Sequence, residues 1–240
     1  MRNLLGLPVL VDTSALCSIK YKGMRPRIPD IEILHEDEAI VVIDKPPGVI
    51  VHPAPGHETG TVTDALARRF PQMANVGSPE RPGVVHRLDI ETSGVMVFAK
   101  TQGAYLNLRR QFESHKTVEK TYLAVVHGTP RPKSGTIDSP VGRDQLSAVT
   151  HWRTLGRHDG ISLVEFSIET GRMHQIRIHA AKLGCPIVGD GTYGSAEKDR
   201  RMRRRPSRLL LHAAELSFIH PASGRRVTFT APPPNDIVYA

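Results

Sequence analysis

An α+β fold is what the 240-residue sequence predicts, and three observations carry the prediction. Strand-forming runs outnumber helical ones, and the few helical segments do not alternate with strands as a doubly wound sheet requires. The third is composition: 39% hydrophobic residues, 23% charged and 20 glycines are globular proportions, enough to build one large or two small domains. Collagen, coiled coil and a membrane bundle are excluded on the same grounds.

Residues 1–29 carry no clear pattern and are expected to be a leader, with Met24 as an alternative start. The apolar stretch 4–11 is far short of the ~20 residues of a membrane span, and Pro8 and Asp12 interrupt a signal-peptide pattern. From residue 39 to 43 a β-branched run ends at Lys45-Pro46-Pro47-Gly48, a buried strand closed by a rigid turn. Residues 49–51 read as a second strand and 56–60 as a loop. Val62, Leu66 and Phe70 have helical spacing over 61–70, and Pro71 stops that helix. A buried strand follows over 95–99. Thr101 then caps a helix with Ala104, Leu108 and Phe112 on one face, ending near His115. Strands are expected over 121–126, 148–154 and 162–168, and a helix over 173–183 closed by Gly184. Closing strands fall at 209–211, 216–219 and 227–229.

Lys and Arg total 32 against 24 Asp and Glu, a formal charge of +8. That balance suits a polyanionic partner, nucleic acid before membrane, or simply a basic protein kept soluble by its charge. Residues 200–208 hold six arginines in nine positions, expected as an exposed loop that either contacts phosphates or is merely solvated. Aromatic residues are sparse and not interleaved with basic ones, so RNA binding would lean on arginine and lysine. The two cysteines, Cys17 and Cys185, form no CxxC, which excludes a disulfide framework and a Cys-rich zinc site and fits a reduced cytoplasmic compartment.

Two polar clusters interrupt the apolar pattern. In the first, His86-Arg87-Leu88-Asp89-Ile90-Glu91-Thr92-Ser93-Gly94 lies between strand patterns, where catalytic groups tend to sit. The same residue types also make ordinary turns, in which Asp89 would be only a capping carboxylate. The second runs from Glu169 through Thr170-Gly171-Arg172 to His179. Its His174 and His179 are five apart and miss the HExxH spacing, so they read as structural helix histidines and no metal is expected.

These clusters resemble the signature of the RluA-like pseudouridine synthases. His86-Arg87-Leu88-Asp89 with Thr92-Ser93-Gly94 is similar to the central motif, Asp44-Lys45-Pro46-Pro47-Gly48 with His52-Pro53 to the first, Lys120-Thr121-Tyr122 to the tyrosine motif, and Thr170-Gly171-Arg172 through His179 to the arginine motif. Leu211-His212-Ala213 and the proline-rich close resemble the C-terminal segment. The departures are Ile90-Glu91, where relatives usually carry a lysine and an acid, and Met173, where a small polar residue is common. Many relatives also carry an N-terminal RNA-binding domain for which residues 1–29 are too few, so target choice would fall to a catalytic domain spanning 30–240.

The resemblance implies that family's fold, a mixed and largely antiparallel sheet with flanking helices and loops around a central cleft. It also implies an isomerase that converts a uridine of ribosomal or transfer RNA to pseudouridine, needing no cofactor, metal or ATP. Asp89 would act at the sugar as nucleophile, electrostatic stabiliser or base, as carboxylates do in glycoside chemistry. Arg177 would hold Asp89 ionised and oriented, its planar fork suited to a carboxylate. Tyr122 would lie against the uracil and take the proton from C5, or else be an ordinary half-buried strand tyrosine. Arg87 would fill or brace the space left by a flipped base, or else contact a phosphate. His86 would also contact substrate, and Arg172, Arg203, Arg204 and Arg205 would bind phosphates. Lys45 and His52 are expected as structural residues at the rim. The expected partner is RNA, with no membrane and a monomeric enzyme. Two alternatives from other classes are an RNA-binding protein with a vestigial site and a nucleoside or glycoside hydrolase using Asp89 and His86.

Overall fold

The computed structural model describes residues 30–238, so the expected leader, Met24 and Cys17 lie outside the described residues. The chain begins with β1 (Glu32–Glu36) and β2 (Ile40–Lys45), then α1 (Val62–Arg69), a single 3₁₀ turn at Pro71–Asn75 and a small pair, β3 (Gly77–Ser78) and β4 (Arg81–Pro82). The middle comprises β5 (Ser93–Ala99), α2 (Gln102–Ser114), β6 (Glu119–His127), β7 (Ser134–Asp138), β8 (Val149–His158) and β9 (Ile161–Ile168). It closes with α3 (Gln175–Lys182), α4 (Ala196–Arg201), β10 (Leu211–Ile219), β11 (Arg226–Thr230) and α5 (Asn235–Val238). Nine strands form one sheet in the order β1-β2-β5-β10-β6-β9-β8-β7, with β11 also on β10. Every pairing in it is antiparallel except β5 with β10, which gives the mixed, largely antiparallel sheet that the sequence predicts.

The continuous apolar runs have a direct cause. Successive side chains of a strand point to opposite faces, and both faces of β2 and β5 are covered. Ile40, Val42, Val95 and Val97 pack with Ala104, Leu108 and Phe112 of α2, while Val41, Ile43, Met96 and Phe98 pack with Val62 and Leu66 of α1. On the other half of the sheet, Val164, Phe166 and Trp152 pack against Ile176 and Ala180 of α3. Thr61 caps α1 in a reciprocal box with Asp64, and Thr101 caps α2, whose end at His115 is left-handed.

Three expectations need correction. Residues 49–51 are not a strand: Ile50 and Val51 present their carbonyls to the Val62 and Thr63 N–H groups at the start of α1 instead of to a ladder. The two expected strands at 209–211 and 216–219 are largely one, β10, which continues across an irregularity between Ala213 and Glu215. The arginine run is not simply an exposed loop, since it begins in the last turn of α4 and ends at a buried Arg208.

The parallel join between β5 and β10 places the catalytic candidates. It consists of His212 opposite Ser93 and Ala213 opposite Gly94. Gly94 has φ +115°, and a Cβ there would stand 2.2 Å from the Ala213 carbonyl oxygen, so only glycine lets the strands meet. Gly94→Ala is expected to lower stability by about 2–4 kcal/mol. A denaturant midpoint unchanged from wild type would contradict this account of the join.

Candidate active site

Beside this join lies a cleft of about 810 Å³, lined among others by Arg87, Asp89, Tyr122, Arg172, His174 and Arg177. The segment before β5 is indeed a turn, with Thr92 N–H donating to the Asp89 carbonyl. It is a turn that presents a carboxylate. Its position is fixed from below by Lys45, which is fully buried and donates to the carbonyls of Pro46 (2.9 Å), Val49 (2.8 Å) and Ile90 (2.9 Å). Lys45 therefore sits beneath the loop and not at the rim. His52 does line the cleft, half-buried.

Asp89 and Arg177, 88 residues apart in sequence, meet here: Arg177 Nη1 donates to Asp89 Oδ2 at 3.1 Å. This is a single bond. The guanidinium's bidentate partner is Asp190, whose Oδ2 and Oδ1 accept from Nε and Nη2, both at 2.8 Å. Asp190 also accepts the Thr192 and Tyr193 N–H groups at 2.9 Å. Burial alone would push its carboxyl up, but the Arg177 fork and these backbone donors outweigh burial and hold it below the usual carboxylate range. Desolvation opposes the Arg177 charge, and the two carboxylates reverse the effect and raise its pKa, so the cation is permanent. Tyr193 lies under the guanidinium at 5.2 Å and hydrogen-bonds His174 Nδ1 at 3.2 Å, while His174 Nε2 stands 3.9 Å from Asp89 Oδ2. Arg177 is thus clamped on its inner side and aimed outward at Asp89. The Asp89 side chain lines the cleft and is 23% exposed, and its Oδ1 accepts no hydrogen bond from the described residues, so one oxygen is anchored and the other is left unpartnered.

Tyr122, on β6, lines the same cleft and packs between the cores of the two sheet halves. Burial and the nearby Asp89 charge both raise its phenol well above the ordinary value, so it stays protonated at working pH. Arg87 is exposed at the cleft wall and Arg172 is half-buried, its Nε on the Ser147 carbonyl.

His86 reaches the cleft wall, but its ring stacks on Phe112 with centroids 4.5 Å apart and its Nε2 accepts the Val97 N–H at 3.1 Å. Burial first and the Lys120 charge second lower its pKa to about 3. The ring is therefore neutral and ties the Asp89 segment to β5. The sign of the pH effect follows: between about 6.5 and 3 the unfolded chain takes up a proton that the folded ring refuses, so this share of stability is lost as pH falls. His86→Gln keeps an acceptor for Val97 and removes the titration. Its urea midpoint is expected to fall less between pH 6.5 and 4 than the wild-type midpoint, and parallel curves would contradict the assignment.

Arg203, Arg204 and Arg205 are not brought to this cleft. They are exposed, and Arg204 and Arg205 edge a separate hollow of about 60 Å³. Arg208 is structural, since its Nε and Nη2 fork onto Asp236 at 2.6 and 2.7 Å and its Nη1 reaches the carbonyls of Glu91 and Leu209. His179 is likewise structural, bonded to Thr150 and the Ser139 carbonyl. Sequence reasoning missed Asp190. Gly189-Asp190-Gly191 looks like any turn, and only the fold shows what the carboxylate holds.

The RNA pseudouridylate synthase family matches residues 39–182. The chain is 43% identical over 219 residues to an uncharacterized RNA pseudouridine synthase of Synechocystis sp., covering 85% of this chain and 66% of that protein. It is 37% identical to ribosomal large subunit pseudouridine synthase D of Zymomonas mobilis, covering 88% of this chain and 72% of that one. Against the curated relatives matched first, the chain spans about two thirds of their length. Among solved structures, human RNA pseudouridylate synthase domain containing 4 superposes with a TM-score of 0.71 at 29% identity, over 86% of this chain and 90% of that one. Human RNA pseudouridylate synthase domain containing 1 gives 0.68 at 27% identity, over 87% and 86%. The chain belongs to the RNA pseudouridylate synthase family, a family of isomerases.

Proposed function

We propose that this chain isomerises a uridine in RNA to pseudouridine, with Asp89 as the group acting at the sugar. The observation that carries the reading is the half-anchored carboxylate: Oδ2 is held by Arg177, and Oδ1 is unpartnered in a residue that lines a cleft of nucleotide-binding size. In the reaction the N1–C1′ bond breaks, the base turns, a C5–C1′ bond forms, and the proton on C5 leaves while N1 gains one. No atom is added or lost. Asp89 meets the positive charge that develops on the sugar, either attacking C1′ or removing a proton from C2′. Arg177 keeps the carboxylate oriented and Asp190 keeps Arg177 oriented. Arg87, exposed beside Asp89, braces the site when the target base leaves the stack, which costs a few kcal/mol.

Tyr122 faces the base. As a protonated phenol it is a packing surface and a donor; taking the C5 proton requires that the Asp89 charge first be neutralised or turned away, because that charge helps hold the phenol protonated. Arg172 at the cleft and Arg203, Arg204 and Arg205 outside it contact RNA phosphates, in keeping with the formal charge of +8. Ribosomal RNA is the favoured substrate over transfer RNA, since the relatives from Zymomonas mobilis and Neisseria meningitidis carry the name ribosomal large subunit pseudouridine synthase D.

The test is nucleoside analysis of RNA lacking native modifications, digested after incubation with the purified protein. Pseudouridine should rise as uridine falls, with no free uracil. Free uracil would mean a hydrolase, and an unchanged nucleoside profile on RNA that the protein binds would mean a vestigial site.

A further inference from the structure

The cleft wall also carries cationic side chains that the chemistry at Asp89 does not use. Lys120 stands two residues before Tyr122 on β6, hence on the same face of the strand and about 7 Å along it. It lines the cleft yet is only 7% exposed. An ammonium has three N–H groups to place, and Lys120 places one on the Thr170 carbonyl at 3.2 Å. The charged neighbours that act on it are of its own sign. Arg172 lowers its pKa after burial does, to about 8, and among the described residues no carboxylate forms an ion pair with either side chain. His115 completes the group: it ends α2 in a left-handed conformation, feels both cations, and its Nδ1 is buried without a partner. Apart from Asp89, the acids that line the cleft are engaged elsewhere, Glu113 by Arg109 and Glu80 by Ser78. Gly171 lies beside the ammonium, where an added Cβ would come into ordinary contact with Lys120 Nζ at 3.6 Å, so glycine keeps that position clear.

A buried ammonium with one carbonyl partner and a like-charged neighbour costs stability unless an anion completes it. We propose that Lys120, Arg172 and His115 form a phosphate subsite, occupied by a backbone phosphate of the RNA strand next to the nucleotide whose base lies at Asp89. One strand step separates Lys120 from Tyr122, a span suited to a nucleoside's sugar and its adjoining phosphate. The subsite rests on the reading of the cleft as an RNA site and adds to it a contact that fixes the register of the strand. Lys120 and His115 belong to the tyrosine strand and the end of α2, and neither was singled out as a phosphate ligand by the sequence.

The experiment measures binding of a fluorescein-labelled single-stranded uridine-rich RNA of about twelve nucleotides across a salt series, for wild type, Lys120→Met, Arg172→Gln and the double variant. Each single change should flatten the plot of log affinity against log salt by about 0.7, the value for one phosphate on a single strand. The double variant should lose no more than that, because both side chains hold the same phosphate. Lys120→Met should also melt no lower than wild type, since it removes an under-partnered buried cation. Unchanged slopes in both single variants, or losses that sum to two phosphates, would overturn the shared subsite, as would a melting temperature lowered in Lys120→Met alongside an unchanged slope in Arg172→Gln. Binding is read without turnover. A protein that shows this slope pattern but makes no pseudouridine would contradict the functional reading alone, and one that makes pseudouridine with unchanged slopes would contradict the subsite alone.

Discussion

Asp89→Asn is expected to lower turnover on the order of 10⁴-fold, the scale seen when a central catalytic group is replaced by an uncharged isostere. Asparagine keeps the shape of the turn and an oxygen for Arg177 Nη1, but it has neither the charge to meet a cationic sugar nor a nucleophilic oxygen. RNA affinity should stay within a few fold of wild type and shift, if at all, towards tighter binding, because a negative charge has left a basic cleft. Stability should hardly change, since Arg177 keeps its fork on the buried Asp190. Wild-type turnover by this variant would remove Asp89 from the chemistry.

Arg177→Lys is expected to cost at least ~10²-fold in kcat and about 3–5 kcal/mol of stability together, with the KM for RNA little changed. The sequence suggests a reason for such sensitivity, the fork of an arginine on the catalytic carboxylate. The structure supplies a different one. Arg177 uses Nε and Nη2 on Asp190, whose side chain is 1% exposed, and only Nη1 on Asp89. A lysine has one nitrogen and cannot serve two carboxylates, so either Asp190 is left as a buried unpaired charge or Asp89 is left unheld. Asp190→Asn should reproduce the kcat loss with Arg177 intact, because an amide turns an N–H towards the guanidinium and frees the fork to swing. Wild-type kcat in either variant would show that the clamp on Arg177 plays no part in catalysis.

How much could be read in the sequence depended on whether one segment held the whole cause. The β-branched runs within β2 and β5 were legible because both faces of those strands are buried, and the caps at Thr61 and Thr101 because a cap is a local hydrogen bond. The edge strands β1 and β7 were not, since Glu-Ile-Leu-His-Glu and Ser-Gly-Thr-Ile-Asp mix charged and turn-forming residues as edges do. In the site, Asp89, Tyr122 and Arg177 stood out through their resemblance to family motifs. Lys45 stood out only as a rim residue of the first motif, and Asp190 and the inward-facing Arg208 did not stand out, because their partners lie in other elements or are backbone carbonyls that no side-chain pattern announces. Arg208 in particular was hidden in a run of arginines whose other members are mostly exposed.

The central claim is that a carboxylate at position 89 converts uridine to pseudouridine in RNA, and release of tritium from RNA labelled at uridine C5 tests it most directly. Wild type and Asp89→Asn should be run side by side on RNA lacking native modifications, with binding measured on the same RNA. The account predicts release by wild type in step with pseudouridine formed, none by Asp89→Asn, and similar affinity for both. Equal release by the two proteins, or none by wild type on RNA that it binds and that contains the unmodified target uridine, would contradict it.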